Sequence, residues 1–402
     1  MLILLFSCTR IHVVPPPQMV VDVKAEDTPI QPQEPPRKKA ESMNTEYFLG
    51  SEAQEKESFE AFSYQIQSIQ NRQSQDNNQP VQRGFHGKSH GCLEGEMRLV
   101  SDRDPRTRFG VFSDAHSTWP VWVRFSNGVG WKQEDKVLDA RGMAVKLMGV
   151  SGERLTSDET QTQDFLMTNS PSPVGKNAEE FMTFADKNSK GTLATLLFAL
   201  RKPRTVAPAI TKTGAVDSML ALHYWSGGAY HLGAHQAVKF SSRACEPHTQ
   251  KPSRKDPNYL GKDLRDGAKE ELCFSFYVQI QVDPYKTPIE DAAKVWKPSV
   301  SPLLHVADIV FPAQDFSSEE QKAFCSSLSF NPWHGIPAHQ PMGHINRARK
   351  YVYDASRNHR GGSVEPLLPE PESIQIDEAE MMPNEDTTTP LMNGQNAIES
   401  GD

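Results

Sequence analysis

Between residues 92 and 168, four short runs of β-branched and aromatic residues follow one another, broken by Gly, Pro and Asp. They are Cys92–Val100, Trp119–Phe125, Gly142–Met148 and Phe165–Thr168. This succession predicts strands joined by turns, and it constrains the fold more than any other feature of the chain. Helical patterns follow at Ala178–Lys187 and Thr192–Arg201, and strand patterns return at Ala237–Phe240, Leu272–Val282 and Leu304–Phe311. Further helices are expected over Ser318–Leu328 and from Ile345 to about Asn358. Strands in series, rather than alternating with helices, favour an antiparallel β-barrel or sandwich over a βαβ sheet. The expected class is α+β.

The flanks differ in character. Residues 1–50, with Pro15, Pro16, Pro17, Pro35 and Pro36 and no helical or strand period, read as a disordered segment. Ser51 to Gln54 reads as a capping box, and Phe59, Phe62, Ile66 and Ile69 share one face of the helix it would open. Residues 51–80 are therefore expected to form an amphipathic arm and linker, packed on the core or on a second subunit. The core domain is expected over 81–362, followed by an acidic disordered tail over 363–402.

Charge follows the same division. From Gly361 onward there are ten acidic residues and no Lys or Arg, and residues 1–80 carry seven basic against eleven acidic. Under an overall −8, the middle is left at +6. That is too mild for a nucleic-acid surface but suits an anionic ligand. The longest apolar run near the start, Leu2 to Phe6, is too short to span a bilayer, so no transmembrane segment is expected. Leu5 to Cys8 resembles a lipobox but lacks a basic n-region. A cytoplasmic location is the default, and a periplasmic or lipid-anchored one through Cys8 the minority reading. Five scattered cysteines without a CxxC argue against a disulfide scaffold and against a thiolate zinc site.

Several segments carry candidate chemistry. His86 and His90 are four apart, as are His231 and His235, a metal-binding spacing on a helix. Gly87, Ser89 and Gly91 argue against a helix there. In the strand around Val123, alternation puts Trp122, Arg124 and Ser126 on one face and Val121, Val123 and Phe125 on the other. A buried Arg124 would need an anionic partner, either a carboxylate or a bound anion. Arg349 and Tyr353 lie one helical turn apart and can meet.

Taken in order, Arg83 to His90, Val123 to Asn127, Asp139 to Lys146, Asp164 to Pro171 and Arg349 to Tyr353 resemble the haem-dependent catalase superfamily, specifically its small catalase-related branch. The resemblance covers roughly residues 81–360 and implies a catalase-like antiparallel β-barrel with surrounding helices, lacking the C-terminal helical domain of full-length catalases. It implies haem b as cofactor, with His86 as the distal histidine, Ser126 fixing its tautomer and Tyr353 as the proximal iron ligand beside Arg349. Arg83, Arg124 and Arg360 would bind the propionates, Phe181 would stack on the distal face, and Asp139 and Phe85 would line the substrate channel. The distal asparagine of the family aligns with Thr168. A bulge before the Ser170-Pro171 turn would instead bring in Asn169, which is the expectation here.

The activity so implied is consumption of hydrogen peroxide or an organic hydroperoxide, by dismutation or by peroxidase turnover of small donors, in the response to oxidative stress. The alternatives are allene oxide synthase-like rearrangement or cleavage of fatty-acid hydroperoxides, and a haem-binding protein without turnover. The latter would gain weight if Thr168 faces the iron and Phe85 closes the channel. A homo-oligomer is compatible with the arm.

Overall fold

The computed structural model describes residues 46, 48–158, 161–203 and 216–361. The expectations for residues 1–45, Cys8 among them, and for the acidic tail lie outside the described residues. Among those described, ten strands form one antiparallel sheet. They are β1 (Ser89–Leu99), β2 (Thr118–Asn127), β3 (Arg141–Met148), β4 (Thr162–Thr168), β5 (His223–Trp225), β6 (Ala229–Leu232), β7 (Gln236–Ala244), β8 (Leu272–Ile280), β9 (Leu304–Phe311) and β10 (Pro341–Met342). The order β7-β5-β4-β3-β2-β1-β9-β8 closes on itself because β7 also pairs with β8. Eight strands thus make a barrel, and β6 and β10 extend from β7.

Alternation fills the barrel. Val121, Val123 and Phe125 of β2 point inward with Met143, Val145 and Leu147 of β3, as a period of two requires. Phe112, Phe165, Phe240 and Phe276 meet at the centre, with ring centroids 4.7 to 6.2 Å apart. The interior is therefore packed, and the alternate residues of β2, β3 and β4 face outward. There Lys146 and Asp164, register partners on β3 and β4, form a fully buried ion pair at 2.9 Å. Asp164 also accepts from the Asn331 N–H at 2.9 Å, so the pair is not left on Coulomb attraction alone.

Helices cover this outer face. α1 (Glu52–Asn77) starts where Ser51 accepts a hydrogen bond from Gln54 N–H at 3.3 Å. Its Ile66 and Ile69 pack with α2 (Ala178–Ser189) and α6 (His344–His359) through Met182, Ala185 and Val352. The arm therefore lies against its own core. α3 (Thr192–Arg201), α4 (Tyr259–Gly267) and α5 (Glu319–Ser327) complete the described α-helices. Of these, α4 had no expected counterpart, nor did the short strands β5, β6 and β10. Among the described residues, no helix is long and apolar enough to cross a membrane. One disulfide joins Cys245 to Cys273, a pair 28 residues apart that spacing along the chain did not suggest.

The arm is locked by charge as well as by packing. Glu55, 3% exposed, accepts from Arg347 at 2.9 Å on each oxygen and from Leu49 N–H at 2.7 Å. Burial alone would raise its pKa, but these hydrogen bonds outweigh burial and hold it below the ordinary 4.5. A depressed folded-state pKa gives stability that is present above pH 4.5 and is lost as pH falls below it. Glu55→Gln is expected to cost ~1–3 kcal/mol in urea denaturation at neutral pH. The variant should then lose less stability than wild type on acidification below pH 4.5.

Candidate functional site

A cavity of about 960 Å³ lies between the outer face of β2, β3 and β4 and the helices α1, α2 and α6. Its size is near the upper end of small-molecule sites, roughly 300–1,000 Å³. The chemistry-bearing residues gather on three sides of it.

On one side stands His86. Its φ of 56° is a left-handed conformation, which costs a non-glycine residue of order ~1 kcal/mol and persists only when its surroundings enforce it. Here His86 N–H donates to Gly128 O at 2.9 Å and Gly87 N–H to Val129 O at 3.0 Å, so a neighbouring loop imposes the turn. The ring Nδ1 lies 3.1 Å from Ser126 Oγ. A Cβ on Gly142 would sit 2.6 Å from that same Nδ1, so the absence of a side chain on β3 is what admits the imidazole. Burial, then the Arg124 guanidinium, push the His86 pKa down to about 4. The ring is neutral at pH 7 and can accept a proton.

From α6 comes Tyr353. Arg349 Nη2 donates to its hydroxyl at 2.9 Å, as the one-turn spacing allowed. Burial would lower the Arg349 pKa, but the phenol oxygens of Tyr353 and Tyr230 raise it overall. Asn346, one turn earlier on the same helix, accepts from Arg349 Nη1 at 3.0 Å and donates to Ala229 O at 2.8 Å. Asn346 was missed from the sequence, although its spacing of three from Arg349 carried the signal.

Arg83, Arg124 and Arg360 all line the cavity. Arg124, 4% exposed, donates to His86 O at 2.9 Å, and its Nε is buried without a partner. Arg83 donates to the carbonyls of Ser326 and Leu328. Among the described residues, no carboxylate forms a salt bridge with either. Burial, then Arg124 and Arg360, push the Arg83 pKa down. Such a cluster of cations is costly unless an anion joins it. The orphaned Nε and the volume of the cavity fit a flat anionic group, with the Tyr353 phenol available to a metal that it carries.

One expectation needs correction. Asn169 does not line the cavity. Its side-chain oxygen accepts from Arg141 N–H at 2.8 Å, and Thr168 lines the cavity in its place. The reason is register: β3 and β4 pair without a break through Gly142↔Thr168, so no bulge turns Asn169 inward. The paired histidines stand on no helix, as Gly87, Ser89 and Gly91 imply: His90 lies in β1, with Nε2 2.7 Å from Asn127 Oδ1. Asp139, Phe85 and Phe181 do line the cavity. Asp139 also accepts from Gly128 N–H (3.0 Å) and Val129 N–H (3.1 Å), bracing the loop that fixes His86. Phe85 rests on Phe181 with centroids 5.5 Å apart.

No family model matches the chain. Catalase A of Aspergillus fumigatus is 25% identical over 285 residues, covering 63% of this chain and 37% of that protein. Catalase A of Emericella nidulans is 25% identical over 288 residues with the same coverage, so the match spans little more than a third of these relatives' length. Among solved structures, a fungal catalase is 18% identical with a TM-score of 0.60, covering 81% of this chain and 74% of its own. Catalase A from Saccharomyces cerevisiae is 19% identical with a TM-score of 0.58, covering 81% and 76%. These likenesses establish the fold.

The depressed His86 pKa carries a stability signature. Between pH 6.5 and about 4 the unfolded ring binds a proton that the folded ring refuses, so stability falls as pH falls through this window. His86→Gln should remove part of that slope, by up to ~2–3 kcal/mol across the window. Denaturation curves at several pH values check this, and an unchanged slope would contradict the burial of a neutral ring.

Proposed function

Fold and sequence relatives together support membership of the catalase superfamily, and from that premise we propose that this chain is a haem-dependent enzyme that consumes hydroperoxides, hydrogen peroxide first among them. The single observation that carries the reading is one cavity bounded by His86 held by Ser126, by Tyr353 held by Arg349, and by three cavity-lining arginines. Haem b fits this donor set. Its two propionates would meet Arg83, Arg124 and Arg360 as charge-assisted, bidentate partners. Its iron would take Tyr353 as ligand, and the bound cofactor would supply the redox chemistry.

The chain's own residues have three tasks. His86 Nε2 takes a proton from one peroxide oxygen and returns it to the other as the O–O bond breaks, which a neutral imidazole of pKa about 4 does without first losing a proton. Ser126 holds Nδ1 so that Nε2 is presented to the cavity. Arg349 donates to the Tyr353 oxygen and holds the phenol in position. Phe85 and Phe181 keep the approach to His86 apolar and exclude bulk water.

Thr168 gives the site its own character. A threonine offers one rotating hydroxyl, which here lies 3.4 Å from Ser170 O, where an asparagine amide would offer two directed donors. Hydrogen peroxide turnover is accordingly slower than an amide-bearing site would allow, and peroxidase turnover of small donors takes a larger share.

Measured by oxygen release from hydrogen peroxide, His86→Ala should keep the haem and lose ~10²–10⁴-fold in rate, the range for a positioned acid–base group. Undiminished turnover would remove His86 from the mechanism. In the same assay Thr168→Asn should raise dismutation by ~10-fold, since one directed donor is worth at least that. A fall in rate with the haem retained would contradict the role given to Thr168.

A further inference from the structure

On the far side of the barrel wall, away from the cavity, β7, β8 and β9 bring three metal-ligating side chains together and set a histidine beside one of them. Cys245 and Cys273 face each other across β7 and β8, next to the Ala244↔Phe274 pair. Ser275 pairs with Asp308 across β8 and β9. Phe274 and Phe276 fill the barrel, so Cys273, Ser275 and their cross-strand partners face outward.

His305 joins them for a reason of geometry. Residues 305 and 308 differ by three, and a regular strand would send them to opposite faces. A register shift intervenes: Phe276 pairs with Ala307 but Tyr277 with His305, leaving Val306 as the extra residue of a bulge. The bulge turns His305 onto the face of Asp308, with Nε2 2.8 Å from Asp308 Oδ1. That same oxygen accepts from Ser275 Oγ at 2.7 Å and lies 3.7 Å from Cys245 Sγ. Ligand atoms of Cys245, Cys273 and Asp308 all lie within 4.8 Å of one another, and His305 stands outside that group, next to Asp308. All are half-buried, accessible yet partly desolvated.

We propose that the reduced form of this cluster is a zinc site, with the Cys245 and Cys273 thiolates, the Asp308 carboxylate and the His305 imidazole as its four ligands, and that disulfide formation releases the metal. Two thiolates, one nitrogen and one oxygen suit tetrahedral Zn²⁺, and the sulfurs disfavour magnesium and calcium. Binding displaces the two thiol protons. In the reverse direction the two thiolates give two electrons to a hydroperoxide: the S–S bond forms, the O–O bond breaks, and two protons are taken up to leave an alcohol and water. None of the four residues lines the cavity, so the proposal stands or falls apart from the reading of the haem site.

The test uses the full chain as purified, reduced with a phosphine, desalted without oxygen and dialysed against Zn²⁺, with bound metal counted by atomic emission. Reduced protein should hold one zinc per chain above the level of the disulfide form, and excess tert-butyl hydroperoxide should release it. Cys273→Ser should abolish this uptake. Asp308→Asn and His305→Ala, which leave both cysteines and their pairing intact, should weaken it by at least ~10–100-fold, the loss seen even for outer-shell partners. Uptake by the reduced chain no greater than by a Cys245→Ser, Cys273→Ser double variant would overturn the site. So would a disulfide that resists reduction in the folded protein, or zinc binding indifferent to both Asp308 and His305.

Discussion

One row of residues across three strands underlies the cavity: Ser126 on β2, Gly142 on β3 and Thr168 on β4 are register partners in an unbroken antiparallel ladder. Ser126 meets the His86 ring, Gly142 leaves the volume that the ring occupies, and Thr168 lines the cavity beside them. A slip of one residue in either pairing would exchange this row for its neighbours and turn the core side chains outward. The barrel prevents the slip, because β2, β3 and β4 carry their apolar residues on the inner face and closure through β7 and β8 leaves no free edge to slide.

The second constraint is charge. Two kinds of cation lie at the outer face of the barrel, Lys146 and Arg124 buried and Arg83 half-buried, and they are treated differently. Lys146 has Asp164 as its partner, so its burial is matched within the chain. Arg83 and Arg124 have only backbone carbonyls to donate to, and Arg124 keeps one nitrogen without a partner. A structure selected for stability alone would not retain that arrangement. It is readily understood as a site whose electrostatic complement arrives from outside, with Arg349 and Asn346 prepared in advance around Tyr353.

Much of this was legible in the chain because it rests on local periods. The alternation of Val121 to Ser126 separated core from cavity, and the four-residue step from Arg349 to Tyr353 put the two side chains in reach. The capping Ser51 and the apolar face of Ile66 and Ile69 marked the arm. What the sequence hid depends on contacts between distant segments. A bulge before the Ser170-Pro171 turn would bring Asn169 into the cavity, whereas β4 continues regularly and the Arg141 amide takes the Asn169 side chain. The bulge that matters lies at Val306, where no glycine or proline announces it. Cys245 and Cys273 carry no spacing signal because a barrel strand pairing, not a local motif, brings them together. The short strands β5, β6 and β10 were missed because two to four residues cannot display a period.

In the function proposed above, Tyr353 would hold a haem iron across the cavity from His86. The most direct measurement is the absorption spectrum of the purified chain produced with haem precursor, beside that of Tyr353→Phe. A high-spin ferric spectrum with tyrosinate character is expected in the wild type and its loss in the variant, with the fold of both unchanged by circular dichroism. A folded wild-type chain without a Soret band, or a spectrum that Tyr353→Phe leaves intact, would contradict it.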